Sequence, residues 1–88
     1  MTRWHVYLVR CTDGSLYTGI STDVEARVAA HNAGTGAKYT RSRTPVELVW
    51  TERKASESSA RKREAAIKKM TRSEKIKLFG SRRVPRSK

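Results

Sequence analysis

Five side chains of this sequence could do chemistry together: two tyrosines, an arginine, a histidine and an isolated glutamate. They are Tyr7, Tyr17, Arg27, His31 and Glu64. Glu64 is the one carboxylate between Glu57 and Glu74, in a run rich in arginine and lysine. Such a carboxylate can ligate a hard cation, because Mg²⁺ is often held by one or two carboxylates with waters and substrate phosphates. The alternative is an ion pair with an i, i+4 neighbour such as Lys68, and the sequence leaves both open.

The charge of the chain points to a polyanionic partner. The 88 residues contain 20 Lys and Arg against 8 Asp and Glu, a net charge of +12, and residues 61–88 alone carry +10. A surface of this kind binds nucleic acid through the release of condensed counterions. Basic segments also serve solubility or contact acidic lipid heads, so charge alone names no reaction.

The single cysteine and the apolar composition indicate the compartment. Cys11 is the only cysteine of the sequence, so an internal disulfide cannot form. It lies in an apolar run and is expected to be a small core residue. The first ten residues lack the apolar region of a signal peptide, and no stretch of about 20 apolar residues could cross a bilayer. The sequence therefore predicts a soluble, cytoplasmic protein that does not enter the membrane.

The position of the two tyrosines depends on a hairpin turn. Residues 4–11 and 15–20 have the composition of strands, separated by Thr12-Asp13-Gly14. A three-residue loop, a type I turn closed by a left-handed glycine, suits this order because Gly14 supplies a positive φ. In that register Tyr17 lies opposite Val9, on the same face as Tyr7. Strand tyrosines are usually packing, so the pair by itself does not define a site.

A helix that follows the hairpin carries the arginine and the histidine. Thr22-Asp23-Val24-Glu25 has the form of a capping box, and the helix is expected to end near residues 32–34, where glycine suits the position past the end. Val24, Arg27, Val28 and His31 recur at helical spacing. Arg27 and His31 are therefore expected to face the sheet, where a solvated arginine would normally not lie.

The connection at residues 33–45 has no clear period and is basic around one aromatic residue. It carries Lys38, Tyr39, Arg41 and Arg43, a combination that suits stacking and charge on a nucleic-acid strand. An ordinary basic loop whose tyrosine covers the core edge is the alternative. Residues 46–51 then alternate as a third strand, with Val46, Leu48 and Trp50 expected on one face.

Two more helices and a tail complete the chain. Ser56 can cap a helix that runs to about Met70, with Ala60, Glu64 and Ile67 on one stripe. Thr71 or Ser73 can cap a short helix towards residues 79–80. Residues 1–80 are expected to form one domain, and residues 81–88 a basic tail that is disordered without a partner.

The order and spacing of these short motifs resemble the GIY-YIG endonuclease superfamily. The matching segments are Val6-Tyr7-Leu8, Tyr17-Thr18-Gly19, Arg27, His31-Asn32 and Lys62-Arg63-Glu64. The resemblance covers roughly residues 4–78. It is closest to the short stand-alone bacterial members, and the segment from Arg27 to Gly34 is similar to the Slx-type structure-specific nucleases.

The resemblance implies an α/β (α+β) fold, a small three-stranded antiparallel sheet flanked by helices, that cuts DNA with one divalent metal, Mg²⁺ or Mn²⁺. It implies that Tyr17 is the general base or its partner and that Tyr7 shapes the same site. Arg27 would bind the scissile phosphate and Glu64 would hold the metal. Gly19 would allow a close approach, and His31 would contact phosphate, share proton transfer or pack in the helix.

Two departures from the family pattern affect what can be carried over. The first motif reads Val-Tyr-Leu, which keeps the tyrosine and the strand, and Ile20 stands where excision-repair members carry a lysine. Family nucleases usually choose a substrate with a helix-hairpin-helix module or a zinc-binding domain, and these 88 residues show neither pattern. Substrate choice is therefore expected to come from the basic helices and tail or from a protein partner. The basic residues and the aromatic predicted to bind nucleic acid are Lys38, Tyr39, Arg41, Arg43, Arg61, Lys62, Lys68 and Lys69. The alternative to a repair or recombination nuclease is a non-catalytic DNA- or RNA-binding module on the same scaffold.

Overall fold

A computed structural model describes residues 3–80 and has a three-stranded antiparallel sheet flanked by helices. The predicted α/β fold is thereby confirmed, and the predicted tail at residues 81–88 lies outside the described residues. The elements are β1 (Trp4–Arg10), β2 (Leu16–Ser21), α1 (Val24–Asn32), α2 (Lys38–Arg41), β3 (Glu47–Lys54), α3 (Glu57–Lys68) and α4 (Arg72–Gly80). The strand order is β2-β1-β3, so β1 is central and pairs with both neighbours.

The β1–β2 hairpin has the predicted register. Gly14 donates to the Cys11 carbonyl, Cys11 pairs with Ser15, and Gly14 has φ +87°. Val9 therefore lies opposite Tyr17, and Tyr7 lies opposite Gly19. Because side chains alternate along a strand, these four residues share one face of the sheet, called the tyrosine face below.

The two faces of β1 belong to two different cores. Val6 and Leu8 are buried against Ala60 and Ile67 of α3, with Leu78 and Phe79 of α4 around them. On the tyrosine face, Tyr7, Val9 and the buried Cys11 pack with Val46, and with Val24 and Val28 of α1. Burial on both faces explains why β1 reads as a nearly continuous apolar run. The helices are therefore divided, with α1 on the tyrosine face and α3 and α4 on the other.

The prediction that Val46, Leu48 and Trp50 share one face is wrong, because β3 contains an irregularity. Leu48 pairs with Val9 and Trp50 with Leu8, so Val49 is an extra residue against β1. Such a bulge reverses the alternation of side chains. Val46 consequently packs on the tyrosine face while Trp50 packs on the α3 face.

The ends of the helices agree with the prediction except at α1. Asp23, not Thr22, is the N-cap, and its carboxylate accepts from the Ala26 N–H at 3.1 Å. Gly34 follows the helix with φ +85°, as expected. The connection predicted to be irregular contains the short helix α2. Its single turn is too short to show a hydrophobic period.

The other two helices begin where the sequence predicts. Ser56 caps α3 through the Ser59 N–H, and Thr71 exchanges hydrogen bonds with Glu74 at the start of α4. Among residues 3–80, the helices are all too short and too polar to traverse a bilayer.

Candidate active site

A buried chain of hydrogen bonds links β1, α1 and α2 on the tyrosine face. The Tyr7 hydroxyl lies 2.8 Å from His31 Nε2, and His31 Nδ1 lies 2.8 Å from the Thr40 hydroxyl. Tyr7 is 1% exposed, and His31 and Thr40 are fully buried. The Ala37 N–H also donates to His31 Nδ1 at 3.3 Å. Both ring nitrogens of His31 are therefore engaged, and its orientation is fixed between a phenol and a loop.

Two glycines make room for this chain. A Cβ at Gly19 would lie 2.5 Å from the Tyr7 hydroxyl oxygen, so a side chain there would displace the phenol. A Cβ at Gly36 would overlap Nδ1 and the backbone of His31. Gly19 was predicted to allow close approach, and the group that approaches is the Tyr7 side chain. The absence of a side chain at Gly36 leaves room for His31 in the same way.

Tyr17 belongs to a layer of aromatic rings between the buried chain and the surface. Its ring meets His31 edge-on, with centroids 5.4 Å apart, and stacks with Tyr39 at 5.9 Å. The Arg43 guanidinium covers Tyr39, 4.0 Å from the ring centroid, and bonds the Asp13 carboxylate at 3.0 Å. Tyr39 is 40% exposed. The outer wall of the site is therefore aromatic and cationic.

Burial and charge set the protonation of Tyr7 and His31. Burial raises the pKa of the Tyr7 phenol above its usual 10.0, while the Arg27 guanidinium opposes the rise and the charges of Tyr17 and Glu64 add to it. Burial also lowers the pKa of His31 below 6.5, and the positive charge of Arg27 lowers it further. At neutral pH His31 is thus a neutral imidazole with one N–H.

The depressed pKa of His31 predicts how stability depends on pH. In the unfolded chain the imidazole takes up a proton near pH 6.5, whereas in the folded chain it does so at lower pH. The unfolded state then binds more protons, so this contribution to stability is complete above pH 6.5 and is lost as the pH falls below it. We expect the free energy of unfolding, measured by urea denaturation, to decline between pH 6.5 and 5.

The matched variant for this prediction is His31→Gln, which removes the titrating ring. Its stability is expected to be lower at pH 7 and to decline less than that of the wild type between pH 6.5 and 5, since carboxylates protonate below that window and His5 is common to both proteins. An equal decline in both proteins would assign the pH dependence to another group.

Glu64 lies on α3, the helix that packs on the other face of the sheet. Its side chain is 20% exposed, and Lys68 lies 3.3 Å from Oε2. The ion pair that was the alternative for Glu64 is therefore present. The carboxylate charge nevertheless reaches the Tyr7 phenol, whose pKa it raises.

The Glu64 carboxylate suits a hard divalent cation whose other ligands are water and substrate phosphates. Within residues 3–80, no three His, Cys, Asp or Glu side chains form a preformed metal site. One carboxylate oxygen donor with water and substrate phosphates is a common Mg²⁺ arrangement. A cation at Glu64 would also oppose the field that raises the pKa of Tyr7. The residues present therefore fit Mg²⁺ or Mn²⁺.

The residues predicted to bind nucleic acid lie in two groups. Lys38, Tyr39 and Arg41 lie on α2, and Tyr39 belongs to the aromatic layer. Arg43 covers the Tyr39 ring and is held by Asp13 and by the Tyr39 carbonyl at 2.7 Å. The second group lies on α3 and the residue after it: Arg61, Lys62, Lys68 and Lys69. Arg61 is paired with Glu57 and Lys68 with Glu64. The two groups project from different faces of the sheet.

Sequence reasoning did not find Gly36, Ala37 and Thr40 as neighbours of His31. The pair Gly34 and Gly36 was a signal that the backbone comes close to something in this loop. Thr40 gave no signal, because a threonine in a polar loop is usually solvated.

The geometry agrees with the comparison with known proteins. Residues 3–77 match the GIY-YIG catalytic domain. A UPF0213 protein of Staphylococcus haemolyticus is 52% identical over 82 residues, which are 93% of this chain and 100% of that protein. One from Halobacterium salinarum is 57% identical over 75 residues, 85% of this chain and 97% of the relative.

Solved structures of similar proteins have the same fold. The solution structure of a UPF0213 protein from Bacillus halodurans is 41% identical with a TM-score of 0.60, covering 94% of this chain and 88% of that one. A protein from E. faecalis is 39% identical with a TM-score of 0.63, covering 100% and 94%. The matched domain spans both tyrosines, Arg27, His31 and Glu64, and the chain therefore belongs to the GIY-YIG catalytic domain family.

Proposed function

We propose that this protein is a divalent-metal-dependent endonuclease that hydrolyses phosphodiester bonds in DNA. The observation that carries the proposal is the buried contact between Tyr7 and His31, with Arg27 beside them and the charge of Glu64 acting on the same phenol. A strand tyrosine that only packs in the core does not require hydrogen-bonding partners, whereas Tyr7 is linked to the buried polar side chains of His31 and Thr40. Perturbed ionisable groups that cluster in this way are typical of catalytic sites.

Tyr7 is the better candidate for the proton acceptor, although the resemblance first pointed to Tyr17. The Tyr7 oxygen contacts His31 Nε2, and the positive charge of Arg27 acts on the same oxygen; both can stabilise a phenolate. The contrast is with Tyr17, whose ring packs against His31 and Tyr39. In the proposed step Tyr7 acts as its phenolate: a water oxygen attacks phosphorus, the water proton passes to the Tyr7 oxygen, the bond from phosphorus to the 3′ oxygen breaks, and the 3′ oxygen takes a proton from solvent. Arg27 orients the phosphate and stabilises the charge that builds on it.

Glu64 is the proposed ligand of Mg²⁺ or Mn²⁺. A divalent cation supplies charge stabilisation to the phosphate and to the leaving oxygen. Lys68 shares the Glu64 carboxylate and would have to give way or turn aside as a cation binds there. The contact at 3.3 Å between two partly exposed groups is weak enough to be replaced.

The α3 basic residues are proposed to hold the DNA backbone, and this gives a testable salt dependence. Lys62 and Lys69 are exposed and seven residues apart, so they lie on the same side of the helix axis. We expect the double change Lys62→Ala and Lys69→Ala to reduce the slope of log K against log salt by about 1 to 2. Fluorescence anisotropy with a labelled oligonucleotide at several KCl concentrations measures it.

Lys54→Ala is the matched control for that experiment. It removes a positive charge from β3, where Lys54 is paired with Glu52. Its slope is expected to equal that of the wild type. If the double variant also keeps the wild-type slope, the backbone of the DNA does not run along α3.

The cleavage test uses single-stranded, duplex and branched DNA with Mg²⁺, with Mn²⁺ or with EDTA. Metal-dependent cutting of at least one substrate is expected. Binding without cutting of any of them, unchanged by EDTA, would favour the alternative of a non-catalytic binding module, which the basic charge of +12 also fits.

We place the proposed nuclease in the cytoplasm and in DNA repair or recombination. A single buried thiol at Cys11 suits a reducing compartment. A protein partner that selects the substrate is part of the proposal. Affinity capture with the wild-type chain, followed by cleavage assays with the captured partner, would test it.

A further inference from the structure

We propose that Thr40 is a positioning residue that fixes the tautomer of His31 so that its N–H points to Tyr7. This inference rests on the proposed function of Tyr7 as the proton acceptor. It concerns a residue outside the family motifs, on α2, and is carried by the hydrogen bonds around a fully buried ring.

The first step is that Nδ1 must be an acceptor. The Ala37 backbone N–H points at Nδ1 at 3.3 Å, and a backbone amide can only donate. A proton on Nδ1 would face that amide proton. A neutral imidazole has one N–H, so an unprotonated Nδ1 leaves the proton on Nε2.

The second step is that the Thr40 hydroxyl is available to donate to the same nitrogen. The Thr40 hydroxyl oxygen lies 2.8 Å from Nδ1, and the same hydroxyl donates to the Ala37 carbonyl at 3.0 Å in the structure. That carbonyl already accepts from the Thr40 N–H at 3.1 Å, so it does not require the hydroxyl proton. Because the first step leaves Nδ1 without a proton, rotation of the hydroxyl about its C–O bond directs its proton to Nδ1 across the shorter contact, and Nδ1 then accepts from two donors.

The third step is the consequence at Tyr7. Nε2–H donates to the Tyr7 oxygen across 2.8 Å, and Arg27 beside the phenol can only donate as well. The Nε2–H donor and the positive charge of Arg27 both stabilise the phenolate, against the burial that raises the pKa of Tyr7. The proton of the phenol, when present, is left to point away from His31. With the other tautomer, the Tyr7 proton would be held by Nε2 and the oxygen would lose a donor.

The position of Thr40 is itself fixed by the hairpin. The Arg43 N–H donates to the Thr40 carbonyl at 2.9 Å, and the Arg43 carbonyl accepts from Thr12 at 2.9 Å. The ion pair between Arg43 and Asp13 closes the same connection. The turn that brings the tyrosines together therefore also holds α2 against His31.

The test reads the tautomer directly, without activity. Two-bond ¹H–¹⁵N correlation spectra of the full chain at neutral pH report which ring nitrogen of His31 carries the proton. We expect Nε2 to show the shift of a protonated nitrogen and Nδ1 that of an unprotonated one. In Thr40→Val the two shifts are expected to move towards each other, because one donor to Nδ1 is lost, whereas Thr40→Ser should keep the wild-type shifts.

The cleavage rate under single turnover supplies the second readout. Thr40→Val is expected to lower it by about 3- to 10-fold, the effect of one neutral hydrogen bond, and Thr40→Ser to restore most of it. A protonated Nδ1 in the wild type, or a Thr40→Val spectrum identical to the wild type, would overturn the proposal. The wild-type spectrum decides the tautomer even if Thr40→Val does not fold.

These results separate the two proposals. Absence of cleavage by the wild type, together with the expected tautomer, would overturn the nuclease but support the role of Thr40 towards His31. Metal-dependent cleavage together with a protonated Nδ1 would support the nuclease and overturn the role of Thr40.

Discussion

Replacing Tyr7 with phenylalanine is expected to lower the single-turnover rate of DNA cleavage by about 10²- to 10⁴-fold, the range for loss of a general base. The ring and its packing on the tyrosine face are kept, while the oxygen that contacts His31 Nε2 is removed. The rate is measured with excess enzyme and Mg²⁺ on whichever DNA substrate the wild type cuts. Because the change removes one atom, the loss reports the chemistry of that oxygen.

Tyr17→Phe is the matched comparison for Tyr7→Phe. Its ring keeps the stack on Tyr39 and the edge contact with His31, so a smaller loss is expected. An equal or greater loss than in Tyr7→Phe would return the role of proton acceptor to Tyr17. Tyr7→Phe leaves a buried nitrogen of His31 without its partner, which lowers the free energy of unfolding by about 1 to 3 kcal/mol. Urea denaturation of both variants therefore accompanies the assay, and the rates are compared under conditions in which both are folded.

Glu64→Gln is expected to lower metal-dependent cleavage by about 10³-fold, since a bound cation stabilises several kcal/mol of transition-state charge. The amide keeps the size of the side chain but is a poor ligand for Mg²⁺. Stability should change little, because the lost contact with Lys68 is an i, i+4 pair worth about 0.3 to 0.5 kcal/mol. A large loss of rate with intact folding would separate the metal role from the ion pair.

The same helix offers the control for Glu64→Gln. Glu57 forms the equivalent i, i+4 pair with Arg61 and belongs to neither the tyrosine face nor the core. Glu57→Gln is expected to cut at the wild-type rate. Mn²⁺ broadening of NMR signals near α3 should be present in the wild type and in Glu57→Gln and absent in Glu64→Gln. Broadening in all three, or unchanged cleavage by Glu64→Gln, would contradict the assignment.

The hairpin and the helix stripe could be predicted because each depends on residues that are close in sequence. Gly14 is needed for the positive φ of the turn, and the turn length fixes which residues of β1 and β2 are opposite. The helical period brings Arg27 and His31 to the side of α1 that faces the sheet. The fold followed from these local rules and from the resemblance to a family.

Other features of the site depend on contacts between distant segments. The bulge at Val49 arises where β3 meets β1, and it sends Trp50 to the face opposite Val46. Nothing in the alternation of residues 46–51 indicates an extra residue. Asp23 rather than Thr22 is the N-cap of α1, although either side chain can accept a hydrogen bond from a backbone N–H of the first turn. The path of the chain as it leaves β2, where the Asp23 N–H donates to the Ser21 hydroxyl, decides between them.

The sequence by itself determined that Tyr7 and Tyr17 share a face and that His31 points towards it, because turn geometry and helical period are set by neighbouring residues. The tertiary structure alone decided which tyrosine hydroxyl contacts a ring nitrogen of His31 and which groups hold the other ring nitrogen. Thr40 and Gly36 meet His31 through a loop whose path depends on the pairing of Arg43 with Thr12 and Asp13. That path is a balance of many long-range contacts, which no local pattern records.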